Sequence, residues 1–242
     1  MTELSIIIPA YNEERRLPRT LARVRDYIRE QGFDAEVIVV DDGSHDGTSR
    51  AVEQMVPQFP GLRLVRNPEN HGKGYSVRQG MLAARGRFAL FTDADLSTPI
   101  EEAAKLLAAL AEADVAIGSR AVDRSLIEIH QSRFREQAGI FFNLLVRIIT
   151  GLPFVDTQCG FKAFRREPSR IVFEQQRMEW FGFDPEILFL ARRHGLRIVE
   201  IPVRWAHDPD TKVRMISDSL RMLAELVQIR WNWLVGRYPR GQ

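Results

Sequence analysis

The stretch from Glu36 to Val65, EVIVVDDGSHDGTSRAVEQMVPQFPGLRLV, decides the architecture. It opens on an apolar run, Val37 to Val40, that is short and β-branched, as a strand buried on both faces requires. The run stops at Asp41 and Asp42, Gly43 and Gly47 permit tight turns, and Asp46 stands where it can cap a helix beginning near Thr48. Thr48 to Val56 has helical spacing, and Leu62 to Val65 is a second apolar run. Strand, helix, strand is the repeating unit of a parallel sheet.

Outward from that unit the alternation continues. Ser5 to Ile8, Phe88 to Phe91 and Val115 to Ile117 read as further buried strands. Leu17 to Ile28, Tyr75 to Ala84 and Ile100 to Ala111 have helical spacing, the last started by Pro99 with Glu101 and Glu102 in its first turn. The expected fold is α/β: a doubly wound, mostly parallel sheet with right-handed crossovers, its ligand crevice at the carboxyl ends of the strands. The polar residues collect there: Tyr11, Asn12 and Glu13 follow the first strand, Asp41 and Asp42 the second, Asp93 and Asp95 the fourth, and Ser119 and Arg120 the fifth. Past Ala121 the regular alternation ends. An apolar helix containing FFNLLVRIITGLPF, a loop DTQCGFKAF, a helix from Asp184 to His194, a strand from Arg197 to Trp205 and a long helix from Val213 to Val235 are expected, with Pro202 marking a sheet edge or bulge. The domain division this implies is 1–212 for the sheet and 213–242 for an amphipathic C-terminal helix.

Bulk properties narrow the classes. A chain of 242 residues with 45% hydrophobic content can bury a substantial core. The single cysteine, Cys159, excludes an internal disulfide framework and a multi-cysteine zinc site, and fits a reducing compartment, so a cytoplasmic location is expected. MTELSIIIPAYNEE lacks the basic and small-residue flanks of a signal peptide and reads as a strand. No apolar run approaches the length of about 18 residues that spans a bilayer, so no transmembrane helix is expected. A formal net charge of +2 argues against a nucleic-acid partner.

Three segments carry chemistry. In FTDAD, Asp93 and Asp95 can both present oxygens to a hard cation such as Mg²⁺ or Mn²⁺, which often binds through one or two carboxylates plus substrate phosphates; a solvated turn in which Asp95 caps the adjoining Leu96–Ser97 backbone is the competing reading. In VVDDGSHDGT, Asp42 is free to accept a hydrogen bond from a base imide or a ribose hydroxyl, whereas Asp46 reads as structural. In NHGKGYSVRQG, Gly72 and Gly74 flank Lys73 just before a helix, so the lysine can meet phosphate oxygens or simply lie solvated in a glycine-rich turn. Neither the GxxxxGK[ST] nor the GxGxxG spacing is present, which removes the main support for NTPase and dinucleotide readings.

Taken together, IIIPAYNEERRLP, VIVVDDGSHDGT, NHGKGYSVRQG, FTDADLSTP, IGSR, DTQCGFKAF, WFGFDPEIL and DTKV resemble, in order and spacing, the family 2 glycosyltransferases. Within that family they resemble the polyprenyl-phosphate sugar synthases, dolichyl-type glucosyl enzymes among them. The resemblance covers nearly the whole chain and implies a GT-A fold, a nucleotide-sugar donor and inversion at the anomeric carbon. It implies that Pro9, Tyr11 and Glu13 shape the nucleoside pocket, that Asp42 contacts the base, that Gly72 and Lys73 lie along the nucleotide, and that Asp93 and Asp95 serve ribose and metal. It places Ser119 and Arg120 near an acceptor phosphate. An ionised phosphate acceptor needs no general base, only cations that position it, and Arg120, Arg133 and Lys162 are the candidates.

The expected activity is therefore inverting transfer of a hexose, glucose from UDP-glucose, to a polyprenyl (dolichyl-type) phosphate, with Asp95, Arg120 and Asp184 at the chemistry. Ser97 stands where the mannosyl branch has Gln, which favours glucose, and the QxxRW of processive synthases is absent, its nearest string being Gln228 to Trp231. Asp184 has two open readings, a sugar-side acid or base and a helix cap before Pro185. Asp156 can order the TQCGF turn, and Gln158 and Cys159 can line the sugar pocket. A soluble or glycan hydroxyl acceptor with Asp184 as base is the alternative activity, and a catalytically silent sugar-nucleotide-binding partner is the alternative class. The run from Phe134 to Phe154 and the terminal helix, with Trp231, Trp233 and Tyr238 among Arg230, Arg237 and Arg240, suit a membrane headgroup zone or, equally, packing within the domain or a homodimer.

Overall fold

The computed structural model describes residues 2–208 and 215–239 and, within them, the side chains of all but Arg133 and residues 215–217. DTKV, Arg240 and the 212/213 domain boundary lie outside the described residues.

The sheet is built as the alternation predicts, with one addition. Strands β1 (Leu4–Ala10), β2 (Ala35–Asp41), β3 (Leu62–Arg66), β4 (Phe88–Phe91), β5 (Val115–Ser119), β7 (Lys162–Arg165) and β8 (Ile198–Pro202) form seven strands in the order β3-β2-β1-β4-β7-β5-β8. Every neighbouring pair is parallel except those of β7, which runs antiparallel to both β4 and β5. The expected strand from Arg197 to Trp205 divides: β8 ends at Pro202 on the sheet edge, and β9 (Trp205–Ala206) pairs instead with β6 (Ile127–Ile129) in a small second sheet. Proline has no N–H to extend the ladder, so the break falls where the residue type requires.

Alternation along each strand splits the core into two layers. On one face Ile6, Ile8, Val37, Val39 and Ala116 pack with α1 (Leu17–Gln31), α2 (Thr48–Met55) and α4 (Ala103–Ala109). On the other face Ile7, Ile38, Val40, Val115, Ile117 and Phe164 meet α3 (Lys73–Ala83), α6 (Arg166–Gln175) and α7 (Phe183–Arg193). Helices α5 (Arg133–Thr150) and α8 (Met215–Leu234) pack against each other beside α7, with Val146, Leu226 and Ile229 buried in the same layer. Their outward faces are apolar. Phe134, Phe141 and Ile148, seven apart along α5, and Leu220, Val227, Trp231 and Leu234 along α8 are all exposed.

Candidate active site

The carboxyl ends of β1, β2, β4 and β5 open on one cleft of about 480 Å³, closed on its far side by α5, α8 and the loop Trp180-Phe181. Pro9, Tyr11, Glu13, Asp42, Gly72, Lys73, Asp93, Asp95, Arg120 and Asp184 all line it. Residues drawn from separate stretches of chain therefore meet where the topology predicts a ligand.

The turn after β4 is held rigidly. Leu96 adopts the left-handed region (φ 49°) and the Ala94 carbonyl accepts from the Thr20 hydroxyl of α1 at 2.6 Å. Asp93 lies across Gly160, where any Cβ would collide with its carboxylate. Its Oδ1 takes the Lys73 ammonium at 2.5 Å. Asp95 makes no salt bridge among the described residues; its Oδ1 accepts from the Ser97 backbone N–H at 2.9 Å, and the Lys73 and Arg16 charges act on it from further off. Burial and the adjacent Asp93 charge push its carboxyl above the usual range. Two neighbouring carboxylates, one in contact with Lys73 and the other with only more distant cations, leave net negative charge in a polar cleft.

Asp42 behaves differently. Its Oδ2 accepts from the Gly72 N–H at 2.7 Å, and its Oδ1 from the Asn67 amide at 2.8 Å and the His71 N–H at 3.2 Å. Three of its roughly four acceptor positions are thus spent tying β2 to the loop that delivers Lys73. Gly72 itself has φ 109°, and a Cβ there would stand 2.6 Å from the Glu179 carbonyl, so the close approach of the two loops needs glycine. Glu13 pairs with Arg16 through both oxygens at 2.7 and 2.9 Å, and Arg16 reaches Asp208 at 2.8 Å. Asp46 accepts from the Thr48 N–H at 3.0 Å and the Glu14 N–H at 3.2 Å, the structural role its position predicts.

On the opposite wall Arg120 forms a two-pronged pair with Asp156 at 2.7 and 2.8 Å, and its guanidinium lies 5.5 Å from the Trp205 ring centre. Burial would lower the Arg120 pKa, but the Asp156 charge and hydrogen bonds more than offset it, so the guanidinium stays charged. Asp156 also accepts from the Gln158 N–H at 3.3 Å and so orders the TQCGF turn, while Gln158 lines the cleft.

Several expectations are corrected. Ser119 is fully buried off the cleft wall, its hydroxyl accepting from the backbone N–H of Ala121 and Val122 at 3.3 Å each, so it shapes the turn after β5 and does not face an acceptor. Lys162 is likewise fully buried away from the cleft: its ammonium donates to the Cys159 carbonyl at 2.6 Å and to Asp184, so it is not available to a phosphate. Asp184 is not a cap. Helix α7 begins at Phe183, and the carboxylate turns to Lys162, with burial raising its pKa against the opposing pull of that lysine and of Lys73. Cys159 is buried outside the cleft, its thiol pushed up to about 11 by burial and the Asp156 charge. The Arg133 side chain lies outside the described residues. Arg135, two positions on, lines the cleft and was not singled out in the sequence; nor were Arg16, Gly160, Trp180 and Trp205. Arg16, Gly160 and Trp180 sit inside the quoted segments, but nothing in their local pattern says that they meet the site.

Residues 5–173 match the profile described as glycosyl transferase family 2. The chain belongs to this family. Among the relatives of this family 2 chain are dolichyl-phosphate beta-glucosyltransferases of Saccharomyces cerevisiae, 36% identical with 97% of this chain and 76% of the relative aligned, and of Drosophila melanogaster, 37% identical with 98% and 77% aligned. The fold of this glycosyltransferase is GT-A. A similar solved structure is glucosyl-3-phosphoglycerate synthase from Mycobacterium tuberculosis in complex with Mn²⁺, uridine diphosphate and glucosyl-3-phosphoglycerate, with a TM-score of 0.65 and 19% identity over 94% of this chain and 80% of that one.

Proposed function

We propose that this chain transfers glucose from UDP-glucose to a polyprenyl phosphate of the dolichyl type, with inversion at the anomeric carbon. The observation that carries this reading is the charge layout of the cleft: Asp93, Asp95 and Lys73 stand on the wall built by β4 and α3, and Arg120 and Arg135 on the wall that leads to α5 and α8. The relatives' shared name supports the same donor sugar and lipid acceptor.

The residues present fit a hard divalent cation, Mg²⁺ or Mn²⁺. Among the described residues no group of three or more His, Cys, Asp or Glu side chains gathers as a metal cage, so an ion here draws on the two carboxylates and on phosphate oxygens, the habit of Mg²⁺ in nucleotide sites. The Asp95 carboxyl, which makes no salt bridge among the described residues and is raised by burial and by Asp93 against the weaker pull of Lys73 and Arg16, gains from a nearby cation. When bound, such an ion offsets charge building on the departing diphosphate.

The chain's own residues do the rest. Pro9, Tyr11 and Glu13 wall the nucleoside end, and Asp42 fixes the Gly72–Lys73 loop along the diphosphate while keeping one acceptor position for the base or ribose. Arg120 offers a charged edge to the acceptor phosphate. Because Asp156 already holds two of its N–H groups, it orients the phosphate without fully neutralising the attacking oxygen. The attacking oxygen is ionised near neutral pH and needs no proton removed. The exposed apolar faces of α5 and α8 suit contact with the headgroup zone of a membrane, from which a lipid acceptor enters the cleft between the two helices. No helix among the described residues is long and apolar enough to cross a membrane.

Incubation with Mg²⁺, UDP-glucose and a polyprenyl phosphate is expected to release UDP and to form a lipid-linked sugar labile to mild acid. Absence of lipid product with every nucleotide sugar tried would refute the assignment. One observation favours a second reading, transfer to a hydroxyl: Asp184 lines the cleft with its carboxyl raised, as a base would be. In that case Asp184→Asn abolishes turnover while donor affinity is kept.

A further inference from the structure

We propose that Lys73 is a place-holding cation: its ammonium occupies Asp93 while the cleft holds no donor, and it passes from that carboxylate to the donor's diphosphate when metal and donor arrive. The inference rests on Asp93 and Asp95 being the metal carboxylates.

The geometry sets which partner moves. Asp93 is backed by Gly160, whose missing side chain leaves just the room its carboxylate fills, and its strand is pinned by the Thr92 N–H bond to the Ile7 carbonyl at 2.9 Å. Lys73, by contrast, begins α3 on a long unbranched stem. Its side chain is 21% exposed, with the Phe183 ring centre 5.9 Å from its ammonium and the Asp184 and Asp95 charges also acting on it. The lysine is the mobile member of the pair and the aspartate the fixed one.

Charge explains why such a device is needed. Asp156 is matched by Arg120, Asp184 by Lys162 and Glu13 by Arg16. Asp93 has Lys73 in contact, and Asp95 has only the more distant Lys73 and Arg16 charges, so the pair is incompletely neutralised. A metal ion entering alone must take Asp93 from Lys73 and leave a second cation beside it with only Asp184, already paired with Lys162, to hold. A diphosphate entering alone meets the uncovered Asp95. Entering together, metal and diphosphate give every charge a partner: the ion sits on Asp93 and Asp95, and Lys73 turns to the phosphate oxygens. Metal and nucleotide are therefore each poor ligands alone and strong ligands together, a reciprocal coupling between the two binding events.

Mn²⁺ binding followed by loss of the free-ion electron paramagnetic resonance signal tests this without turnover. In the wild-type chain Mn²⁺ is expected to bind at least about tenfold more tightly with UDP than without it, a coupling typical of linked sites. In Lys73→Gln, checked for an unchanged melting midpoint, Mn²⁺ alone is expected to bind about tenfold more tightly than in wild type, because its competitor is gone, while UDP in the presence of Mn²⁺ binds more weakly. Unchanged or weakened binding of metal alone overturns the inference; a lysine that only repels the ion from a distance would also give tighter binding in the variant, and amine labelling separates that case from competition at Asp93. A second measurement uses the wild-type protein: amine labelling read by mass spectrometry should find Lys73 more reactive in saturating Mn²⁺ and protected again in Mn²⁺ with UDP. An unchanged labelling rate also overturns it. If Mn²⁺ fails to bind even with UDP, the metal assignment falls and this inference with it; UDP-coupled Mn²⁺ binding with a wild-type value in Lys73→Gln removes this inference alone.

Discussion

Gly160→Ala places a methyl group where the Asp93 carboxylate now lies. The added carbon would stand 2.6 Å from the carboxyl carbon and 2.8 Å from Oδ1, and closer still to Oδ2, where ordinary contacts begin at 3.4 Å. One of the two must retreat by about 1 Å, the difference between the clash and a relaxed contact. The backbone of this turn cannot move, because the next residue, Phe161, accepts the Gly118 N–H at 2.8 Å and β7 is clamped on both sides. Asp93 therefore rotates away, loses its bond to Lys73 and carries one of the two proposed metal oxygens out of line with Asp95. A misplacement of about 1 Å in a reacting constellation costs on the order of a hundredfold in rate. The fold loses little: the Lys73–Asp93 pair is partly exposed, at 21% and 34%, and pairs of that kind are worth up to ~1 kcal/mol. The expected phenotype is a melting point within a few degrees of wild type, Mn²⁺-dependent UDP affinity down by about tenfold or more, and turnover down by about a hundredfold. Calorimetric titration, a melting curve and UDP release measure the three quantities. Wild-type affinity and turnover within about threefold would show that Asp93 can shift without consequence and would refute the reasoning.

Lys162→Met removes the buried partner of Asp184 and is expected to destabilise the fold by ~3–5 kcal/mol, read as a shift in a urea unfolding curve; unchanged stability with weakened acceptor binding would restore Lys162 to the cleft. Glu186 is fully buried, and burial pushes its carboxyl up to about 7 even though it accepts from the Met178 N–H at 2.8 Å and the Tyr238 hydroxyl at 2.6 Å. The folded state holds this proton more tightly than the unfolded one, so its contribution is full below about pH 4.5, the group's ordinary value, and is lost as pH rises through about 7. Its share of that loss is up to ~3 kcal/mol, and urea unfolding at several pH values should show it in wild type and not in Glu186→Gln; equal slopes in the two would refute it. Phe141→Glu combined with Trp231→Glu should abolish flotation with anionic vesicles while leaving the melting point unchanged, whereas unaltered flotation, or a dimer lost in sedimentation, would assign the apolar faces to something other than lipid.

Much of this was legible in the sequence because an α/β sheet ties function to topology. Once Val37 to Val40 and its neighbours read as parallel strands, Asp42, Asp93 and Arg120 had to gather at one end, and they do. What the sequence concealed was direction and burial. Lys162 to Arg165 is too short to show a strand period, and nothing local in KAFR says that it runs against its neighbours. Lys162 reads as a free cation by type, yet it is one of the most buried side chains in the molecule. Asp184 before Pro185 carries a cap signature, but the tertiary pull of Lys162 outweighs it. Arg16 and Trp205 reach the cleft only because the chain folds back on itself, which no spacing rule reveals.

The antiparallel strand β7 has a consequence for the order of assembly. β4 and β5 never touch each other in the sheet; each pairs with β7, which is synthesised after both. Until residues 162–165 insert, the parallel half β3-β2-β1-β4 ends in an open edge at Phe88–Phe91, and β5 with its arginine has nothing joining it to the carboxylates. Insertion closes the gap between the two walls of the cleft and, in the same movement, brings Gly160 under Asp93 and Asp156 against Arg120. Such long-range pairing is slow compared with helix formation. Until this strand is in place the chain can therefore hold the wall of Asp42, Lys73, Asp93 and Asp95 but not the Arg120 wall that faces it, and an assay that needs both walls doubles as an assay of completed folding.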